Sequence, residues 1–238
     1  MKLRIAYIEE PPFYWTAEDG SVTGADIELA DAVLRAIGVT AIEHVPTTFD
    51  EFLSSVQQGR WDMNVPIFMT PERAQHVAFS LPVWALGDGF LVQPGNPKAL
   101  TSYAALAASD DARLGVIAGQ VQINSARSAG VGDDQLVVFK NQPEAIAALV
   151  SGGVDAFAAT AIGSRAAAEG NPAVEVVAHE LGQGAQLPVG AFSFAKGNHA
   201  LQQAVNEQLR RYLGSPDHRA RMARFGITHT EIDPVLVR

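Results

Sequence analysis

The sequence predicts an α/β protein built as two similar α/β lobes joined by a two-strand hinge, and three observations predict it. First, one pattern occurs twice: Glu51, Gly59 and Asp62 stand at the same relative spacing as Glu144, Gly152 and Asp155. Each copy reads as a helix that stops at a glycine and feeds a short strand opening with aspartate. Second, strand-like and helix-like stretches alternate around each copy in β-α-β-α-β order, the mark of a mainly parallel sheet with helices on its faces. Third, two glycine-rich segments, Gly87-Asp88-Gly89 and Gln183 to Gly190, suit the two crossings of a hinge, although ordinary strand-edge turns would use the same residues. The expected division is 1–88 plus 190–238 for the first lobe and 89–189 for the second, with crossings near 87–92 and 183–190. Two similar lobes imply a cleft between them.

The elements follow in order. Leu3 to Ile8 is apolar enough for a buried strand, and Pro11-Pro12 ends it. Thr16 to Thr23, with Asp19-Gly20, is a turn or short hairpin. Asp26 to Ile37 carries Ile27, Ala30, Val33, Leu34 and Ile37 on one helical face, and Gly38 stops it. Ala41 to Val45 is a second strand. Thr48 or Asp50 can cap the helix over Glu51 to Gln58. Asp62 to Phe68 is the third strand, and Thr70-Pro71-Glu72-Arg73 opens another helical turn, with proline at its first position. The order then recurs: strand Leu114 to Ala118, helix Gln122 to Ala129, strand Leu136 to Phe139, the repeat helix and strand Ala156 to Ala159. Val174 to Ala178 and Val189 to Phe194 read as strands, and Asn198 to Leu213 as a helix with Leu201, Val205, Leu209 and Leu213 inward.

Composition narrows the function. The 238 residues suffice for one large domain or two small ones, and 47% apolar residues suffice for substantial cores. A formal net charge of -9, with no dense Lys/Arg cluster, argues against a nucleic-acid partner. The absence of cysteine removes disulfides, thiol catalysis and thiolate metal sites. No apolar run reaches the roughly 18 residues of a membrane span. Met1 to Ile5 reads as the first strand, so the chain is expected to be cytoplasmic as written or a mature exported protein with its leader removed.

Three groups of residues can carry chemistry. Arg73 follows a strand end, where a guanidinium can grip a carboxylate through two parallel hydrogen bonds; the plainer alternative is a surface arginine paired with Glu72 or Asp88. Gly119-Gln120-Val121-Gln122 opens a helix whose first N–H groups would favour an anion, and a plain turn fits the same residues. It lacks both the dinucleotide and the phosphate-loop glycine fingerprints. Phe13, Tyr14 and Trp15 follow the first strand, Phe49 precedes the repeat helix and Phe68 ends the third strand. Rings at the carboxyl edge of a sheet can box a cation or a flat ring, although core packing explains any one of them. Glu9-Glu10 lies at the same edge and can neutralise a ligand cation or face solvent, and Thr160 ends the strand that matches Phe68 but carries no charge. The six histidines show no metal-ligand spacing, no Gly-x-Ser-x-Gly elbow is present, and the pairs Asp110-Asp111 and Asp133-Asp134 read as turns. No catalytic residue, metal or cofactor is therefore expected.

These residues together resemble the bacterial extracellular solute-binding proteins of the polar amino-acid family, receptors of ABC importers. The resemblance spans nearly the whole chain. It rests on Glu10-Pro11-Pro12-Phe13, on Asp19-Gly20 with Gly24-Ala25-Asp26-Ile27, on Gly59-Arg60-Trp61-Asp62, and above all on Thr70-Pro71-Glu72-Arg73 with Val77-Ala78-Phe79-Ser80. It implies the type II periplasmic-binding-protein fold, which closes on its ligand. It also implies that Arg73 holds a ligand carboxylate, that the backbone at Val121-Gln122 assists, and that Phe13 stacks on the ligand. Two departures matter. Thr160 stands where amino-acid binders carry an aspartate for the α-ammonium, and the serines or glycines usual near Pro66 are replaced. Within the family the pattern is similar to ectoine-binding receptors, whose five positions Glu10, Phe13, Phe49, Phe68 and Arg73 reproduce. The expected role is thus a periplasmic receptor, not an enzyme, that hands a small zwitterionic, ectoine-like ligand to a membrane permease and works as a monomer. An enzyme on the same scaffold, dehydratase-like and using Glu10 on a small cyclic carboxylate, is the alternative; a sensor domain is the third reading.

Overall fold

A computed structural model describes residues 2–179 and 187–236, so residues 183–186 of the second expected crossing lie outside the described residues. The described residues divide into two compact units, one within Met1–Leu86 and Leu187–Arg238, the other within Gly87–Gln186.

The first unit begins with β1 (Lys2–Tyr7), the hairpin β2 (Trp15–Thr16) and β3 (Val22–Thr23), α1 (Ala25–Ala36), β4 (Ala41–Pro46), α2 (Phe49–Gln57), β5 (Met63–Phe68), α3 (Pro71–Ala74), β6 (Ala78–Phe79) and β7 (Trp84–Ala85). The second unit holds β8 (Asp88–Val92), α4 (Tyr103–Ala107), β9 (Leu114–Ile117), α5 (Gln122–Ser128), β10 (Leu136–Phe139), α6 (Gln142–Val150), β11 (Ala156–Thr160), α7 (Ala161–Ala168) and β12 (Glu175–Ala178). The chain completes the first unit with β13 (Val189–Phe194), α8 (His199–Tyr212), α9 (Pro216–Ala223) and α10 (His229–Ile232).

The sheet of the first unit runs β4-β1-β5-β13-β6, with β7 also on β13, and that of the second runs β10-β9-β11-β8-β12. In both, three strands joined by helical crossovers are parallel in the same order, and the fourth, β13 or β8, is antiparallel. The sheets are therefore mixed rather than mainly parallel. A βαβ crossover dictates a parallel pair, and neither β13 nor β8 is joined to its antiparallel neighbour in that way.

The repeated residues do the same work in each unit. Gly59 and Gly152 take φ of 72° and 78°, the left-handed conformation that ends α2 and α6. Asp62 and Asp155 stand just before β5 and β11. Their carboxylates accept the backbone N–H of Arg4 at 2.7 Å and of Arg113 at 2.8 Å. Each aspartate thus pins its strand to the start of the neighbouring one. At the other end of α2 the expected cap differs. Thr48 occupies the cap position without a side-chain bond, and the Thr47 hydroxyl instead donates to Glu51 at 2.7 Å.

Packing follows the strand period. In the second unit Phe90, Val92, Leu114, Val116, Ala156 and Ala158 pack with Tyr103, Leu106 and Ala126 of α4 and α5. The intervening Leu91, Ile117, Phe157 and Ala159 pack with Ala145 and Leu149 of α6 on the opposite face. In the first unit a polar group sits inside the core. Asn64 is fully buried, accepts the Trp61 indole N–H, and donates to the Phe52 carbonyl at 3.2 Å and Ser193 Oγ at 2.9 Å. Pro66 of β5 offers no N–H, and the β5–β13 register shifts opposite it, between Ala191 and Ser193. The displaced Phe192 N–H is taken by Ser80 Oγ at 3.1 Å.

His218 of α9 makes a testable contribution to stability. It is fully buried, and its Nδ1 accepts the Gly214 N–H at 3.1 Å. Burial and the nearby Arg219 lower its pKa from 6.5 to about 4, since a proton on Nδ1 would oppose that N–H. The folded state binds fewer protons than the unfolded one between these values. Stability is therefore full above about pH 6.5 and falls toward pH 4, by about 3 kcal/mol at 1.36 kcal/mol per unit. Urea unfolding at pH 7 and pH 4 should show that difference shrinking by this amount in His218→Gln; an unchanged difference would contradict the assignment.

Candidate functional site

The site is built from three strand ends of the first unit. Beyond β1 the chain turns through a cis Pro11-Pro12 bond. The Glu10 carbonyl accepts the N–H groups of Phe13 at 3.0 Å and Tyr14 at 3.2 Å. The first N–H groups of α1 hold this turn in place, Ala25 donating to the Pro12 carbonyl and Asp26 to the Phe13 carbonyl, both at 2.9 Å. Gly24 permits the approach: a Cβ there would lie 2.3 Å from the Phe13 carbonyl oxygen. Phe13 and Tyr14 are buried as a result.

The two adjacent glutamates have different fates. Glu9 is exposed and accepts the Thr16 N–H and hydroxyl at 3.0 and 2.6 Å, which ties it to the β2–β3 hairpin. Glu10 is half-buried and accepts the Tyr14 hydroxyl at 3.2 Å. Burial and the Glu10 carboxylate together raise the Tyr14 pKa well above its ordinary value, so this phenol stays a donor.

At the end of β5, α3 starts as its sequence dictates. Pro71 occupies the first turn and Thr70 Oγ1 accepts the Arg73 N–H at 3.1 Å. This cap fixes the direction of Arg73, which is not the surface arginine of the plainer reading: its exposure is 7%. Its guanidinium donates to the Phe68 carbonyl at 2.8 Å and stands 4.8 Å from the centre of the Phe49 ring. Burial lowers its pKa to about 10, with Tyr14, Glu72 and Glu10 acting in the opposite direction, so the group is charged at neutral pH.

Five of the expected residues thus form one chain of contacts within the first unit; Tyr14, named with the rings after the first strand, and Trp84, which the sequence did not single out, complete it. Phe49 and Phe68 are half-buried and both touch Arg73. Phe68 meets Trp84 edge-on at 5.1 Å, Trp84 meets Phe13 at 6.2 Å, and Phe13 meets Tyr14, the donor to Glu10, at 6.2 Å. Trp84 stands in a stretch without periodicity, so nothing local marked it. Pro66 is buried in β5.

In the second unit Gln122 is buried, and its amide donates to Asp88 at 2.8 Å beside the Tyr103 hydroxyl, also at 2.8 Å. Burial raises the Asp88 pKa against these two bonds. Gly119 takes a φ of 77°, and the Gln120 N–H is engaged by the Ile117 carbonyl at 3.1 Å. Val121 is half-buried at the cap position of α5. Thr160 is buried and caps α7, its Oγ1 accepting the Gly163 N–H at 3.0 Å. A hydroxyl at this position therefore has a structural use. Among the described residues no cluster of His, Asp or Glu could hold a metal, and no helix is long and apolar enough to cross a membrane.

The family described as bacterial extracellular solute-binding proteins, family 3, matches residues 3–225. A probable amino-acid ABC transporter periplasmic-binding protein of Sinorhizobium fredii is 29% identical over 94% of this chain and 76% of its own length. The structure of EhuB in complex with hydroxyectoine is similar with a TM-score of 0.87, at 27% identity over 99% of this chain and 94% of that one. AbpA of Streptococcus pneumoniae, bound to L-arginine, gives 0.83 at 26% identity over 94% of each chain.

Proposed function

Because the chain belongs to the bacterial extracellular solute-binding proteins, family 3, we propose that it is the capture component of an ABC importer and binds a small zwitterion with a delocalised cation. One observation carries this reading: a buried, charged Arg73 stands over Phe49 and is linked through Phe68, Trp84, Phe13 and Tyr14 to the Glu10 carboxylate. Arg73 is assigned the ligand carboxylate, and Glu10 the cationic end, with Phe13, Phe49 and Phe68 facing the ring between them. The backbone at Gln120, Val121 and Gln122, the Thr160 hydroxyl and the β5 wall at Pro66 are proposed as further contacts.

Charge balance favours a cyclic amidinium over a free amino acid. Thr160 supplies no negative charge for an α-ammonium, which leaves Glu10 as the counter-charge of this set. An amidinium spreads its charge over a flat group that rings can cover. EhuB, which this chain resembles over nearly its whole length, carries hydroxyectoine in its structure. Delivery to a membrane permease from the periplasm, as a monomer and without chemical conversion of the ligand, is proposed on the same family basis.

Calorimetric titration with hydroxyectoine, ectoine, arginine and glutamine tests the reading. Tighter binding of the cyclic pair than of the two amino acids is expected. Saturable binding of arginine or glutamine alone would move the ligand to the amino acids, and no binding of any of the four would sink the proposal.

A further inference from the structure

We propose that Trp84 is a positioning residue for ligand stacking, setting the planes of Phe13 and Phe68 while Asp26 and Gly190 hold its indole in place. This rests on the binding role proposed above and concerns a residue that does not need to touch the ligand.

The indole is confined on every side that matters. Its Nε1–H donates to Asp26 Oδ1 at 3.1 Å, and both residues are buried. One face lies on the backbone of Gly190, the partner of Trp84 in the β7–β13 pair. A Cβ at Gly190 would fall 1.9, 2.2 and 2.3 Å from Cη2, Cζ3 and Cζ2 of the benzo ring. The indole also meets Phe68 at 5.1 Å and 80°, and Phe13 at 6.2 Å and 41°. Two rings from different strand ends therefore take their orientation from one side chain.

Tryptophan is required by this arrangement. Phenylalanine would preserve an aromatic surface but remove the donor, leaving Asp26 Oδ1 unpaired beside Oδ2, which already makes no hydrogen bond. Leucine would remove the flat surface altogether and let both phenylalanines turn. Burial, followed by the nearness of Glu10, raises the Asp26 pKa, and the Trp84 bond works against that shift. Asp26 thus anchors the indole through Oδ1 from a fully buried position. The other two tryptophans are engaged elsewhere, Trp61 with Asn64 and Trp15 with Phe225.

The test combines affinity, melting temperature and fluorescence, with hydroxyectoine and ectoine as probes and arginine and glutamine beside them. Trp84→Leu is expected to weaken the tightest of these by about tenfold, the combined value of two aromatic pairs, and Trp84→Phe to recover part of it. In a Trp15→Phe, Trp61→Phe chain, where Trp84 is the sole emitter, saturation with that ligand should shift the emission. Should Trp84→Leu fail to fold, Trp84→Phe and the single-tryptophan chain decide. Affinity within twofold in the folded Trp84 variants, or an emission unmoved by saturation, would overturn the inference while leaving the receptor role intact. An unmodified chain that binds none of the four would overturn the receptor role, and this inference with it.

Discussion

Arg73→Ala is expected to weaken binding of the zwitterion severely while leaving the fold in place. The guanidinium is desolvated by its surroundings and aimed by the Thr70 cap and the Phe68 carbonyl, so little ordering remains to be done when a carboxylate arrives. Truncating one partner of a buried, hydrogen-bonded charge pair costs about 2–5 kcal/mol, roughly 30- to 5,000-fold in Kd. Arg73→Lys should fall between the two. It keeps the charge and loses the planar fork and its stacking on Phe49. The effect on stability should be smaller than the loss of affinity at its upper end, because the Phe68 carbonyl loses this donor at a cost of about 1–3 kcal/mol. Calorimetry and thermal unfolding on the same preparations separate the two effects. Retained affinity in a folded Arg73→Ala protein would count decisively against the assigned role.

Gly190→Ala is expected to destabilise the first unit strongly. The added carbon would lie 1.9–2.3 Å from three atoms of the Trp84 ring, well inside contact distance. The indole has nowhere to retreat, because Asp26 holds one edge while Phe68 and Phe13 close the others. Either β13 or the indole must move. Overpacking of a core costs about 1–3 kcal/mol, and the rigidity of a buried tryptophan places this case at the upper end. Affinity should fall with stability, since displacing Trp84 turns the two phenylalanines. Gly197→Ala is the matched control: nothing lies within 4 Å of its added Cβ, so its effect should stay within about 0.5 kcal/mol. Urea unfolding of the two variants checks the contrast, and equal midpoints would show that the Trp84–Gly190 contact carries no energy.

The repeat and the site differ in how openly the sequence displayed them. Glu51-Gly59-Asp62 and Glu144-Gly152-Asp155 announced two matching βαβ arrangements because each element of the pattern is local: a helix, a left-handed glycine after it, and an aspartate beside a strand start. Arg73 and the rings at Phe49 and Phe68 were legible for a related reason, since each stands at the end of a strand or the start of a helix, and Phe13 lies in the turn that follows the first strand. Glu9 and Glu10 were not separable. Their neighbours along the chain are the same, and only the positions of Thr16 and Tyr14 assign one to the hairpin and the other to the ring cluster.

Strand direction divides in the same way. The parallel triplets followed from helical crossovers, whereas the antiparallel places of β8 and β13 did not, because each pairs with a strand far from it in sequence. Periodicity, turn glycines and capping residues are properties of a few neighbouring residues, so the sequence by itself determined the repeated β-α-β-α-β elements, their order and the candidate arginine, whereas β6, β7, β8, α4, α7, α9 and α10 carried no such signal. The alliance of Asp26, Trp84 and Gly190 was decided only by tertiary structure. Nothing in their own segments ties the three to one another: the hydrogen bond and the ring-to-backbone contact exist only once the sheet has brought distant segments together.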